Sequence, residues 1–78
     1  MPTVLRVEGF RFFFFSNEGQ EPAHIHVESQ DSYAKFWLVP VRLAHSKGYN
    51  APTLNKLHSL VRANESLFLE KWNEHFTR

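Results

Sequence analysis

HIHVESQDSYAKFWL, residues 24–38, is the stretch whose reading decides the fold. Taken in steps of two, Ile25, Val27, Ala34, Phe36 and Leu38 fall on one side, and His24, His26, Glu28, Tyr33, Lys35 and Trp37 on the other. That period is the signature of a half-buried strand, and polar Gln30-Asp31 in the middle marks a turn. The segment therefore predicts a hairpin of His24–Glu28 and Tyr33–Leu38. With the turn setting the register, Val27 meets Ala34 and Ile25 meets Phe36 on the apolar face. Glu28 meets Tyr33, His26 meets Lys35 and His24 meets Trp37 on the other.

Toward the N-terminus, Thr3–Val7 and Phe10–Ser16 flank Glu8-Gly9, a two-residue hairpin turn with glycine where positive φ is wanted. This register pairs Val7 with Phe10, Leu5 with Phe12 and Thr3 with Phe14 on the apolar face. Arg6 faces Arg11, and Val4 faces Phe13, on the opposite one. Residues 17–22 (NEGQEP) form a polar loop. Downstream, Val39-Pro40 closes the meander, Val41–Ala44 reads as a short fifth edge strand, and Ser46-Lys47-Gly48-Tyr49 as a turn. Asn50 is a good helix N-cap, with Pro52 in the first turn where a missing N–H costs nothing. From there Leu54, Leu57, Val61, Phe68, Trp72 and Phe76 recur at helical spacing, widened by Leu60 and Leu67. The polar Asn64-Glu65-Ser66 dip divides two short helices at residues 63–66 or forms the exposed face of one long helix.

The expected fold is a single two-layer α+β domain over residues 1–78. An antiparallel β-meander of four to five strands packs under a C-terminal helical segment. Leu5, Val7, Phe10, Phe12, Phe14, Ile25, Val27, Phe36 and Leu38 form its buried face. The chain has 78 residues, no cysteine and eight phenylalanines, so aromatic burial must supply what disulfides supply in other small domains. At roughly 1.5–3 kcal/mol per buried large apolar side chain, that is sufficient.

Composition also narrows function. No segment approaches the roughly 18 apolar residues of a membrane span, so no membrane partner is expected. The opening MPTVLRVEGF lacks a secretory layout, which makes a cytoplasmic location the default. The net charge is +1, divided as −2 over residues 1–39 and +3 over residues 40–78. Neither half carries the dense basic stripe of a protein that grips duplex DNA. Three glycines leave no phosphate-binding loop.

The sharpest chemical signal is Pro22-Ala23-His24-Ile25-His26-Val27. Histidines two apart on a strand share a face, an arrangement that suits a general acid–base pair or two ligands of a transition metal. Lys35 across from His26 disfavours imidazolium, which suits a base. Lys35 and Arg11 are also placed to stabilise developing anionic charge. A metal needs a third ligand, from His45, His75 or Glu28, only if the fold brings it close. The plainer reading, ordinary cross-strand pairs on a half-exposed face, weighs more than either. Phe13, Phe15, Tyr33, Trp37 and Glu28 share this face with Arg11, Lys35 and the histidines. Aromatics interleaved with cations stack single-stranded RNA bases in some sheets, but the same residues anchor protein interfaces, which is the weightier reading. An exposed Phe13/Phe15/Trp37 patch argues for a partner. His58 sits at the margin of the helical apolar stripe and is assigned no role.

The segments MPTVLR, GFRFFFFSNEG, EPAHIHVE, AKFWL-x-P and LEKW-x-x-x-F, in this order, resemble the uncharacterised bacterial family domain of unknown function 4160 (DUF4160). The resemblance runs over essentially the whole chain. Its most recognisable stretch falls on Glu21, Pro22, His24 and His26, with Arg11, Lys35, Trp37, Pro40 and Trp72 also matching. Ala23 stands where the family more usually has proline, and Thr53 where it commonly has an acidic residue. The resemblance implies a small protein encoded beside a second small protein, in an arrangement that looks like a toxin–antitoxin module. It brings no established activity, catalytic residues or cofactor, and none of the last is expected. Three readings follow. The first is an interaction protein that binds a neighbour-encoded partner, or itself, through the aromatic/His face. The second is a metal-independent ribonuclease-type toxin with His24, His26, Lys35 and Arg11 as its machinery. The third, and weakest, is a metal site on His24 and His26.

Overall fold

The computed structural model describes residues 3–15 and 19–76. Five strands, β1 (Thr3–Val7), β2 (Phe10–Phe13), β3 (His24–Ser29), β4 (Ser32–Leu38) and β5 (Val41–Lys47), are followed by α1 (Ala51–Ala63) and α2 (Glu65–Phe76). The strands form one antiparallel sheet in sequence order, β1-β2-β3-β4-β5, so β1 and β5 are its edges. The two-layer α+β arrangement expected of the sequence is the one observed.

The β3–β4 register is as its alternation dictates: His24↔Trp37, Ile25↔Phe36, His26↔Lys35, Val27↔Ala34 and Glu28↔Tyr33. The turn between them places Gln30 at positive φ (48°). The Glu8-Gly9 turn has both residues at positive φ, 54° and 85°, the combination that matches the twist of a hairpin.

Three expectations, two about strand extent and one about burial, need correction. The first concerns β2, which leaves the ladder at Phe13 instead of continuing to Ser16, a residue outside the described ones together with Asn17 and Glu18. The register of β1 shifts between Thr3 and Leu5, so Thr3 meets Phe13, not Phe14. Val4 is the extra residue. The second concerns β5, which is longer than Val41–Ala44 and absorbs Ser46 and Lys47, because β4 offers partners as far back as Tyr33. Its own irregularity lies opposite Lys35 and Phe36: Lys35 meets His45 while Phe36 meets Leu43, leaving Ala44 as the extra residue. The third concerns burial at the β1 edge, where Leu5, Val7 and Phe10 are half-buried instead of sealed.

The helices cover one side of the sheet. Phe12, Phe14, Ile25, Val27, Ala34, Phe36 and Leu38 form one cluster with Leu57 and Val61 of α1 and Phe68 and Trp72 of α2. Phe12 meets Phe68 at 5.3 Å between ring centres, and Phe14 meets Trp72 edge-on at the same distance. Asn50 caps α1 by accepting the Thr53 N–H at 2.9 Å. Of the two helical alternatives, the broken one is correct. Asn64 ends α1, its side-chain amide donating to the Leu60 carbonyl at 2.8 Å, and its own carbonyl receives the Phe68 N–H at 3.0 Å. The break aims α2 so that Trp72 and Phe76, with rings 4.2 Å apart, close over Phe14 at the end of the sheet. No helix among the described residues is long and apolar enough to cross a membrane.

Candidate functional site

The sheet face away from the helices is built of three rows running across the strands. One row is Arg6, Arg11, Glu28, Tyr33 and Lys47; the next is Thr3, Phe13, His26, Lys35 and His45; the third is His24, Trp37 and Arg42. Alternation along each strand, together with the bulge at Ala44, produces this set. All the residues singled out from sequence (His24, His26, Lys35, Arg11, Phe13, Phe15, Tyr33, Trp37 and Glu28) are therefore brought together.

Their environments differ from the half-exposed patch expected. His24 and His26 are 0% and 3% exposed, and Phe13 is 2% exposed. The rings seal one another. Phe13 stacks against His26 at 5.4 Å, Phe15 meets His26 edge-on at 4.7 Å, and the two imidazoles stand perpendicular at 5.0 Å. Trp72 reaches His24 from α2 at 4.8 Å, so the helical layer wraps the end of the sheet and touches its second face. This contact explains the deep burial of His24 and cannot be read from strand parity. The correction concerns exposure alone: of the three aromatics expected in an open patch, Phe13 is buried, Trp37 is half-buried, and Phe15 stays 37% exposed.

Hydrogen bonds orient the imidazoles. A carbonyl accepts only, so the 2.9 Å contact of His24 Nδ1 with the Pro22 oxygen puts the proton on Nδ1. The Glu21 carboxylate is 3.7 Å from the same nitrogen. His26 Nδ1 lies 2.7 Å from the Tyr33 hydroxyl. Both cations proposed to stabilise developing charge are engaged. Arg11 donates to Glu28 at 2.6 Å and to Thr3 Oγ1 at 2.9 Å, with its guanidinium 4.4 Å above the Phe13 ring. Lys35 donates to Glu21 at 2.7 Å, with its ammonium 4.6 Å above the Trp37 ring. The Lys35 hydrogen bond holds the Glu21 carboxyl below the usual glutamate range, with the charges of Lys35, His24 and His26 adding to it.

Among the described residues no group of three or more His, Cys, Asp or Glu side chains is placed to hold a metal. A hollow of about 420 Å³ lies at the other end of the sheet, between Phe10, Ser29, Ser32, Tyr49 and Thr53, and neither imidazole lines it. There burial raises the Tyr49 phenol above its ordinary pKa, against the opposing hydrogen bond with Ser29.

Strand β5 adds Arg42, His45 and Lys47 along the outer rim of this face; sequence reading assigns no role to Arg42 or Lys47 and names His45 only as a metal ligand that the fold would have to bring close. A strand ending at Ala44 stops short of His45 and Lys47, and the bulge hides the parity that links Arg42 with His45. One signal was available. Residues 32–64 hold five Lys or Arg and no Asp or Glu.

These features define a small α+β protein with an open, singly covered sheet and a sealed histidine–aromatic centre. The chain belongs to the family described as domain of unknown function (DUF4160), which matches residues 9–73. No curated protein and no solved structure matches it.

Proposed function

We propose that this chain is the protein-binding member of a cytoplasmic two-gene module of toxin–antitoxin type, engaging its partner through the helix-free sheet face. The observation that carries this reading is the division of that face. Its centre is closed by His24, His26 and Phe13, while Phe15, Tyr33 and Trp37 remain partly open among cations. Half-open aromatics around a closed, rigid centre are what an interface anchor requires. In this reading the histidines give the face its shape and the partner meets its rim.

The ribonuclease reading keeps His24 and His26 as acid and base, with Lys35 and Arg11 on the developing charge. Its support is the 5.0 Å spacing of the imidazoles and the Tyr33 hydroxyl on His26. Against it stand the burial of both rings and the two carboxylates already holding the cations.

The test is co-expression with the protein encoded by the neighbouring gene, followed by titration calorimetry of the purified pair. A complex that Phe15→Ser weakens at least tenfold, with an unchanged circular dichroism spectrum, is the expected result. A chain that binds neither that protein nor itself would sink the interaction reading. Growth inhibition by the expressed chain that disappears in His26→Ala, with the fold intact, would favour the ribonuclease instead.

A further inference from the structure

We infer that β5 is a docking edge for an extended acidic segment of a partner protein, which adds to the sheet as a sixth strand. This inference deepens the interaction reading and rests on it for the existence of a protein partner, but places the contact at the rim and names its chemistry.

Strand β5 is seven residues long and hydrogen-bonded on one side only, to β4. Its other side offers backbone N–H and C=O groups that no strand pairs, the template on which added strands form; the Val41 carbonyl at its start meets His58 Nε2 at 3.3 Å, so the free stretch begins beyond it. The opposite edge, β1, is five residues long and has a register shift at its start. The side chains of β5 define what it would accept. Arg42, His45 and Lys47 point to the helix-free face, where they lie beside Trp37, Lys35 and Tyr33 of β4. No described carboxylate pairs with Arg42 or Lys47, whereas Lys35 and Lys56 are held by Glu21 and Glu8. On the helix-facing side, Leu43 is 43% exposed beside buried Phe36. A complementary strand therefore alternates, with carboxylates toward Arg42 and Lys47 and apolar side chains toward Leu43.

Two other occupants fit less well. A second copy of the chain paired edge to edge would bring two sets of Arg42, His45 and Lys47 into one ladder with no acid between them. Cations on an edge are a device against that self-pairing, and the same charges favour an acidic strand. Single-stranded RNA would need open aromatic faces on which to stack. Lys35 already lies over Trp37, and Tyr33 stacks on His26 at 5.7 Å and 28°.

The experiment titrates the full, isotope-labelled chain with three probes: an octapeptide alternating Glu and Val, the same pattern with Lys for Glu, and oligouridylate. Saturable binding of the Glu peptide is expected, with exchange slowed at least tenfold at those Val41–Lys47 amides that do not bond to β4. The double variant Arg42→Glu/Lys47→Glu should lose at least tenfold in affinity for the Glu peptide and gain affinity for the Lys peptide. This reversal of preference does not occur in a chain that merely unfolds. No binding of the Glu peptide, protection elsewhere in the sheet, an unchanged preference in the double variant, tighter binding of oligouridylate, or dimerisation through β5 would each overturn the inference. The two readings fail separately. A partner complex that Phe15→Ser weakens but the double variant leaves untouched, with no peptide uptake at β5, would sink this inference alone, whereas peptide uptake at β5 with no complex formed would sink the interaction reading alone.

Discussion

Glu21 is drawn to Lys35 across a sequence separation of 14 residues, and through Lys35 to the Trp37 ring. Because its folded pKa is depressed, its contribution to stability is present above the ordinary glutamate pKa and is lost as pH falls through the depressed one. In Lys35→Met the Glu21 midpoint should rise toward the ordinary glutamate range, as carbon-detected NMR would register. An unmoved midpoint would mean that Lys35 is not its cause. Tyr33→Phe removes the hydroxyl from His26 Nδ1 and should cost about 1 kcal/mol in urea unfolding, the usual net worth of one hydrogen bond. The membership of this cluster was legible in the alternation of residues 24–38, since period two leaves no choice of face once one face is apolar. Its closure was not legible. The seal on His24 comes from Trp72, 48 positions away, and no local pattern encodes that meeting.

Each element carries its own signals, of unequal strength. The β3–β4 hairpin was readable because a one-residue slip would turn Ile25, Val27, Phe36 and Leu38 outward. The bulges at Val4 and Ala44 were not, since an extra residue is set by how strands twist against their neighbours and leaves little trace in composition. Asn50 was readable as a cap, and Asn50→Ala should cost about 1 kcal/mol of stability in the same urea assay. The break at Asn64 was readable only as a choice of two, because a polar dip marks a helix surface as well as a helix end. Packing resolves it: Phe68 must reach Phe12 while Leu57 and Val61 stay under the sheet. Phe68→Ala should therefore cost about 3–5 kcal/mol, the range for an aromatic side chain lost from a closed core. A cost near that of Asn50→Ala would mean that α2 is not held through Phe68.

For the molecule as a whole, one cluster of buried residues joins all but the edge strands to both helices. Heat should unfold the chain in a single transition by circular dichroism. A chain ending at Asn64 lacks Phe68 and Trp72 and should show no cooperative transition; a sharp one would mean that the sheet and α1 form a sufficient core. The same arrangement has a meaning in time. Every strand lies beside its neighbour in sequence, so contacts within the sheet are local and quick to form. All five strands also precede both helices along the chain. The apolar surface of Phe12, Ile25, Phe36 and Leu38 is thus made before the residues that cover it. Any interval between formation of the sheet and docking of α2 is therefore the one in which this apolar surface is open to aggregation.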